Sequence, residues 1–136
     1  MRKSRYIIYL FLICIGFLVP HKLFAEGEFN YGKAWSSSNK DSKISWVWGF
    51  TLGQELIFEE LGIKDKEKYK YYVSSSDVVV ISDIMTQYYS DAANNYIPWK
   101  YMAYVAKLKL KGKSHREIED TLESLREYAD WVRKSK

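Results

Sequence analysis

Beyond the first 25 residues the chain has one histidine, His115, and no cysteine, since its single Cys14 lies near the start. His115 follows Ser114 directly, and neighbouring residues at a helix start do not face each other as a nucleophile and its base must. The pair therefore reads as a helix opening rather than as catalytic machinery. No H-E-x-x-H, no Cys/His cluster and no glycine-rich phosphate loop occurs, so no metal site, cofactor or catalytic residue is expected. The one chemistry open to this inventory is acid-base work by two carboxylates drawn from Glu55, Glu59, Glu60, Asp77, Asp83 and Asp91, which could cleave a glycosidic bond. Solvated helix faces carry such residues routinely, so a small cell-wall-acting hydrolase stands as the alternative to a binding protein.

Binding has its own residue types. "KYKYY" (68–72) and "IPWKYMAY" (97–104) place tyrosines and a tryptophan among lysines. Such side chains join a large apolar body to a polar tip, which suits protein interfaces. Tyr69, Tyr71, Tyr72, Trp99 and Tyr101 lie in or beside predicted connections, where binding residues concentrate, and are the expected partner surface.

The N-terminus predicts export. Arg2, Lys3 and Arg5 precede an apolar run from Tyr6 to Val19, and Pro20 to Ala25 is a short segment ending in a small residue. This is the pattern of a signal peptide cleaved after Ala25. The alternative is an uncleaved N-terminal anchor, although the run of 14 residues is short of the roughly 20 that span a bilayer, so no stable span is expected after cleavage. Four of the 21 Lys and Arg residues (Arg2, Lys3, Arg5, Lys22) leave with the signal while all 17 acidic residues stay, which brings the exported chain to 17 against 17. The basic character belongs to the export segment, and nucleic-acid binding is excluded as a leading reading. "LKGKSHREIEDTL" imitates the opening of a helix-turn-helix, but no recognition helix follows it.

Without cysteines the exported domain must be held by its core, to which all five tryptophans and ten of the twelve tyrosines are available. The expected organisation is a signal peptide (1–25), a flexible N-terminal segment (26–42) and a helical domain (43–136). Asp41 or Ser42 is the predicted cap of a first helix whose apolar positions Ile44, Val47, Trp48, Phe50, Leu52, Leu56, Ile57 and Leu61 follow helical spacing, with Gly62 ending it. Gly49-x-x-x-Gly53 within that helix predicts close approach by a neighbouring helix, with Trp46 filling space around the contact, because each interior glycine costs about 1 kcal/mol relative to alanine. Val78 to Ile81 favour a strand by propensity, but the recurrence of Ile81, Ile84, Met85, Tyr88 and Ala92 at three and four predicts a second helix ended by Asn94 and Asn95. A third starts at Pro98 and closes at Gly112. Ser114 and Glu117 form a capping box for a fourth, striped by Ile118, Leu122, Leu125, Ala129 and Val132. The fold class is therefore all-α, a compact bundle of about four helices.

Trp46-x-x-Gly49-Phe50-x-x-Gly53, then "ISDIMTQYY", then "YIPWKYMAYVAKLKL" and a last helix, resembles the small exported α-helical proteins of the Tai-type immunity group and, more loosely, the periplasmic HdeA-type acid-stress chaperones, over about residues 45–125. The resemblance implies a periplasmic protein that binds another protein, either blocking a cell-wall amidase effector or holding unfolded clients. The helix-bridging cysteines of those families are absent here, with Tyr89 and Tyr96 near their places.

Overall fold

In the computed structural model, residues 29–135 are described, and the predicted signal peptide with its cleavage point after Ala25 lies outside them. Among the described residues the chain is helical and has no strand. The order is α1 (Tyr31–Ser37), α2 (Lys40–Glu60), α3 (Val78–Tyr88), α4 (Trp99–Leu110) and α5 (His115–Lys134), with single 3-10 turns at Lys66–Lys68, Ser75–Asp77 and Ala92–Asn94. Along the chain α3 packs on α2, α4 on α3 and α5 on α4.

The stretch expected to be flexible is instead structured from Phe29 onward. Asn30 accepts from the Lys33 amide at 2.7 Å and opens α1, and Asn39 accepts from the Ser42 amide at 2.8 Å, so α2 starts before the predicted caps Asp41 and Ser42. Both are ordinary asparagine caps. What holds α1 is tertiary. Its Trp35 is 1% exposed, packs edge-on to Trp46 and Trp99 at centroid distances of 6.1 and 5.7 Å, and donates its indole N–H to Thr86 Oγ1 at 3.0 Å.

Two predicted stops hold. Gly62 (φ +66°) follows α2 with the Ile63 amide bonded to the Phe58 carbonyl at 2.8 Å, and Gly112 (φ +71°) follows α4 with the Lys113 amide bonded to the Leu108 carbonyl at 3.1 Å. This bonding pattern requires a left-handed residue, for which glycine has no steric penalty. The Ser114–Glu117 capping box is present in both directions, at 3.2 Å from the Glu117 amide to Ser114 Oγ and 3.1 Å from the Ser114 amide to Glu117 Oε2. Helix α3 wins over strand propensity because Val78, Ile81, Ile84 and Met85 all reach the core from one helical face, leaving Val79 and Val80 outside. It ends at Tyr88, ahead of the predicted Asn94 and Asn95. Asp91 then accepts from the Ala93 amide at 2.9 Å and starts a separate turn.

The core is built mainly by α3 and by Met102, Ala103, Val105 and Ala106 of α4, with Ile118 and Leu122 of α5. Tyr89 is buried and donates its hydroxyl to the Ile97 carbonyl at 2.6 Å; burial pushes its pKa far up, so it remains a donor. Trp46 packs at the edge of the core, stacked on Phe50 at 5.3 Å and edge-on to Trp99 at 5.2 Å, rather than around a contact at the glycines.

Among the described residues the expected close approach at Gly49 and Gly53 is not found. A Cβ on either would meet nothing within 4 Å. Only one side of α2 is covered, at Val47 and Thr51, while Trp48, Leu52, Leu56, Ile57 and Leu61 point outward. The glycine that does sit against a neighbour is Gly32, whose amide donates to the Asn95 carbonyl at 2.9 Å and where a Cβ would lie 2.9 Å from Asn95 Cα and run into its Oδ1.

Candidate functional site

The "KYKYY" segment is held from α2. Gln54 clamps it with both ends of its amide, donating to the Tyr71 carbonyl at 2.8 Å and accepting from the Val73 amide at 3.1 Å. Glu55 accepts from the Ser75 hydroxyl at 2.8 Å and from the Tyr72 hydroxyl at 3.4 Å. From the other side Glu67 is bonded to Lys111 and lies 3.8 Å from the nearly buried Lys107, whose ammonium stands 5.7 Å from the Tyr72 ring centroid. Desolvation lowers the Lys107 pKa, with the Lys111 charge adding to the effect.

These clamps decide which tyrosines face outward. Tyr71 is 42% exposed and meets Tyr104 edge-on at 5.0 Å and Tyr101 at 5.6 Å; Tyr101 meets Tyr128 at 5.9 Å, and Tyr128 meets Trp131 at 6.3 Å. A strip of five aromatic rings thus crosses from the loop over α4 to the end of α5. Lysines ride on it: Lys70 Nζ lies 5.4 and 5.3 Å from the Tyr71 and Tyr104 centroids, and Lys100 Nζ 4.9 Å from that of Tyr101. Beside Tyr71 and Tyr104 a cleft of about 290 Å³ is bounded by Asp120, Thr121, Ser124 and Leu125 of α5. Rings with polar tips, flanking cations and a shallow polar-edged cleft suit a protein surface better than a small molecule, which needs enclosure.

Of the five residues expected at a partner surface, Tyr71 and Tyr101 belong to this strip. Tyr69 is exposed but sits apart, tilted against Phe58 at 4.7 Å. Tyr72 is buried under the Glu55 and Lys107 contacts. Trp99 is a core-packed residue whose indole N–H donates to the Tyr31 carbonyl at 2.9 Å. Both are corrections: the adjacent Lys70 rides on Tyr71 and Tyr104 and Lys100 on Tyr101, so the neighbouring charges mark other rings. Tyr104, at the end of the 97–104 segment, and Tyr128 and Trp131 of α5 join the strip beyond the five expected residues. The available signal was spacing: Tyr101 and Tyr104, and Tyr128 and Trp131, are pairs three apart that fall beside the buried positions of their helices.

A second cleft, of about 340 Å³, runs between Tyr96 and α5. Its two guanidinium groups are already engaged. Arg126 donates to Asn94 at 2.9 Å and approaches Asp91 and Glu119, while Arg133 stacks 3.9 Å from the Tyr96 centroid and pairs with Asp130.

Of the carboxylates that could serve a hydrolase, Glu55 has its pKa lowered, chiefly by the Ser75 hydroxyl against an opposing desolvation effect. A general acid needs the reverse shift. With the folded value below the unfolded one, the Glu55 bonds contribute stability at pH values above about 4.5 that is lost as the pH falls below it. The expected result is that Glu55→Gln, in urea titrations between neutral pH and pH 3, shows a smaller acid loss of stability than the parent chain. An identical pH profile would remove Glu55 from the linkage.

Among the described residues no helix is long and apolar enough to cross a membrane. The class defined by fold and surface is thus an all-α domain with an exposed aromatic and lysine strip. Comparison with protein-family models, curated proteins and solved structures gives no match for this chain.

Proposed function

We propose that this chain is an exported, periplasmic helical protein that acts by binding another protein, with α2–α5 as a four-helix bundle after a cleaved signal peptide. The observation that carries the reading is the strip of Tyr71, Tyr101, Tyr104, Tyr128 and Trp131, in which Tyr71, Tyr128 and Trp131 are exposed and Tyr101 and Tyr104 half-buried, on a frame clamped by Gln54 and Glu55. Exposed rings of this kind are enriched among residues that dominate binding energy. The export reading rests on the charged start and the apolar run. Immunity-type blocking of an envelope enzyme fits a prebuilt surface better than client holding does, because a holdase works through adaptable apolar contact rather than fixed rings.

Replacing Tyr71 and Trp131 together by Ser should leave helical circular dichroism and melting temperature nearly unchanged, while weakening capture of the envelope partner by about tenfold or more, roughly 1.4 kcal/mol. The measurement is affinity capture from the cell envelope followed by titration with the captured protein. Undiminished affinity in the folded variant would move the interface off the strip. In the same preparation, intact mass should give a chain beginning at Glu26, and a full-length product in the membrane fraction would reverse the export reading.

A further inference from the structure

From Ile44 to Gln54 helix α2 carries no charged residue, and its outer side is lined by large apolar side chains that the described residues leave exposed. Trp48, Leu52 and Leu56, at 49%, 37% and 61% exposure, form one raised row four residues apart. The adjacent row, Gly49, Gly53 and Ile57, begins as a notch, since nothing lies within 4 Å of a Cβ at either glycine. Ridge and notch thus run side by side along the same helix, each the complement of the other.

We infer that this face pairs with a second copy of the chain. When rows of residues four apart on two helices interdigitate, the axes cross at about −50°. A twofold axis then sets the Trp48–Leu52–Leu56 ridge of each copy into the glycine notch of the other, which is the reciprocity a self-complementary dimer contact requires. Scaling typical full side-chain areas by these exposures, Trp48, Leu52, Leu56 and the 59% exposed Ile57 offer about 450 Å² per chain. With the notch and a rim, two copies cover about 1,000 Å², the lower bound for a specific interface. Of the acidic groups near the face, Glu55 is turned to Ser75 and Tyr72, from whose hydroxyls it accepts, while Asp41, Glu59 and Glu60 lie at least seven residues from Leu52 at the centre of the row, about 10 Å along the axis. At that crossing angle they diverge from their counterparts beyond a Debye length of about 8 Å, so their repulsion is screened. The glycines, which cost helix stability and meet no neighbour inside the fold, acquire a role in letting the two backbones approach.

This pairing is independent of the aromatic strip, and sedimentation equilibrium on the chain as its cells process it tests it. The parent chain should show a monomer–dimer equilibrium with a dissociation constant in the micromolar range. Gly49→Ala with Gly53→Ala should weaken association by about tenfold or more without lowering the melting temperature of the monomer, since each added methyl enters open space. Leu52→Lys should abolish association with the helical signal retained, and the Tyr71→Ser, Trp131→Ser double variant should associate like the parent. A parent chain that stays monomeric throughout overturns the inference and leaves the face to a different protein. A dimer whose dissociation constant neither α2 variant changes overturns it equally, because its interface lies elsewhere.

Discussion

Trp35→Ala should cost about 3 to 5 kcal/mol of unfolding free energy, the range for removing a buried tryptophan. Trp35 is 1% exposed and meets Trp46, Tyr89 and Trp99 at centroid distances of 6.1, 6.1 and 5.7 Å, so its removal opens a cavity bounded by rings that α2, the C-terminal cap of α3 and α4 hold in place. Rings fixed by three helices cannot all collapse inward, and the cost should lie toward the upper part of the range. The indole hydrogen bond is a smaller matter, because Thr86 is exposed and water can replace the donor. Urea denaturation decides it: the midpoint should fall at unchanged slope, removing a fifth or more of a stability typical of such domains, about 5 to 15 kcal/mol. A loss below about 1 kcal/mol would mean that α1 contributes little to the fold, and the stretch before α2 would return to being a tail.

Gly32→Ala should be the most damaging of the glycine substitutions, by about 2 kcal/mol or more, through overpacking against a backbone that cannot yield. The added methyl would lie 2.9 Å from Asn95 Cα, and moving Asn95 away breaks the hydrogen bond at 2.9 Å from the Gly32 amide to the Asn95 carbonyl. Gly53→Ala supplies the internal control. Its methyl meets no neighbour, so helix propensity alone acts, and the monomer should gain about 0.5 to 1 kcal/mol. Thermal melts at low protein concentration, where self-association does not contribute, should therefore move in opposite directions for the two variants. Equal shifts, or a loss at Gly53, would restore the close approach inside the fold and place a neighbour over α2.

Together these experiments separate the two exposed faces from the core that supports them. The frame runs through Trp35 and Gly32 to the turn that holds Asn95, and it fixes α2 against α3 and α4. On that frame Gln54 and Glu55, projecting from α2, set the height of the loop carrying Tyr71, so a loss at Trp35 should also loosen the aromatic strip.

What could be determined from the sequence alone was whatever depends on neighbours a few residues away. The glycine stops at Gly62 and Gly112 and the Ser114–Glu117 box close within six residues, and each formed where its residue types stand. The stripe of α5 was legible because Ile118, Leu122, Leu125, Ala129 and Val132 recur at three and four in a helix whose other positions are mostly charged. The second helix was recognised despite its valines because periodicity over eleven residues outweighs propensity over four. The Asn30 cap was equally local, but a seven-residue helix is marginal by itself, and only the burial of Trp35 among three other rings makes it persist. The rest was decided by tertiary structure, because sequence spacing shows that a face exists without saying what covers it. Leu52, Leu56 and Ile57 have core spacing and face solvent, since the other helices lie on the Val47 and Thr51 side. Tyr71 and Tyr72 are adjacent and chemically alike, and their separation into a surface ring and a buried one follows from hydrogen bonds reaching seventeen residues back to Gln54 and Glu55.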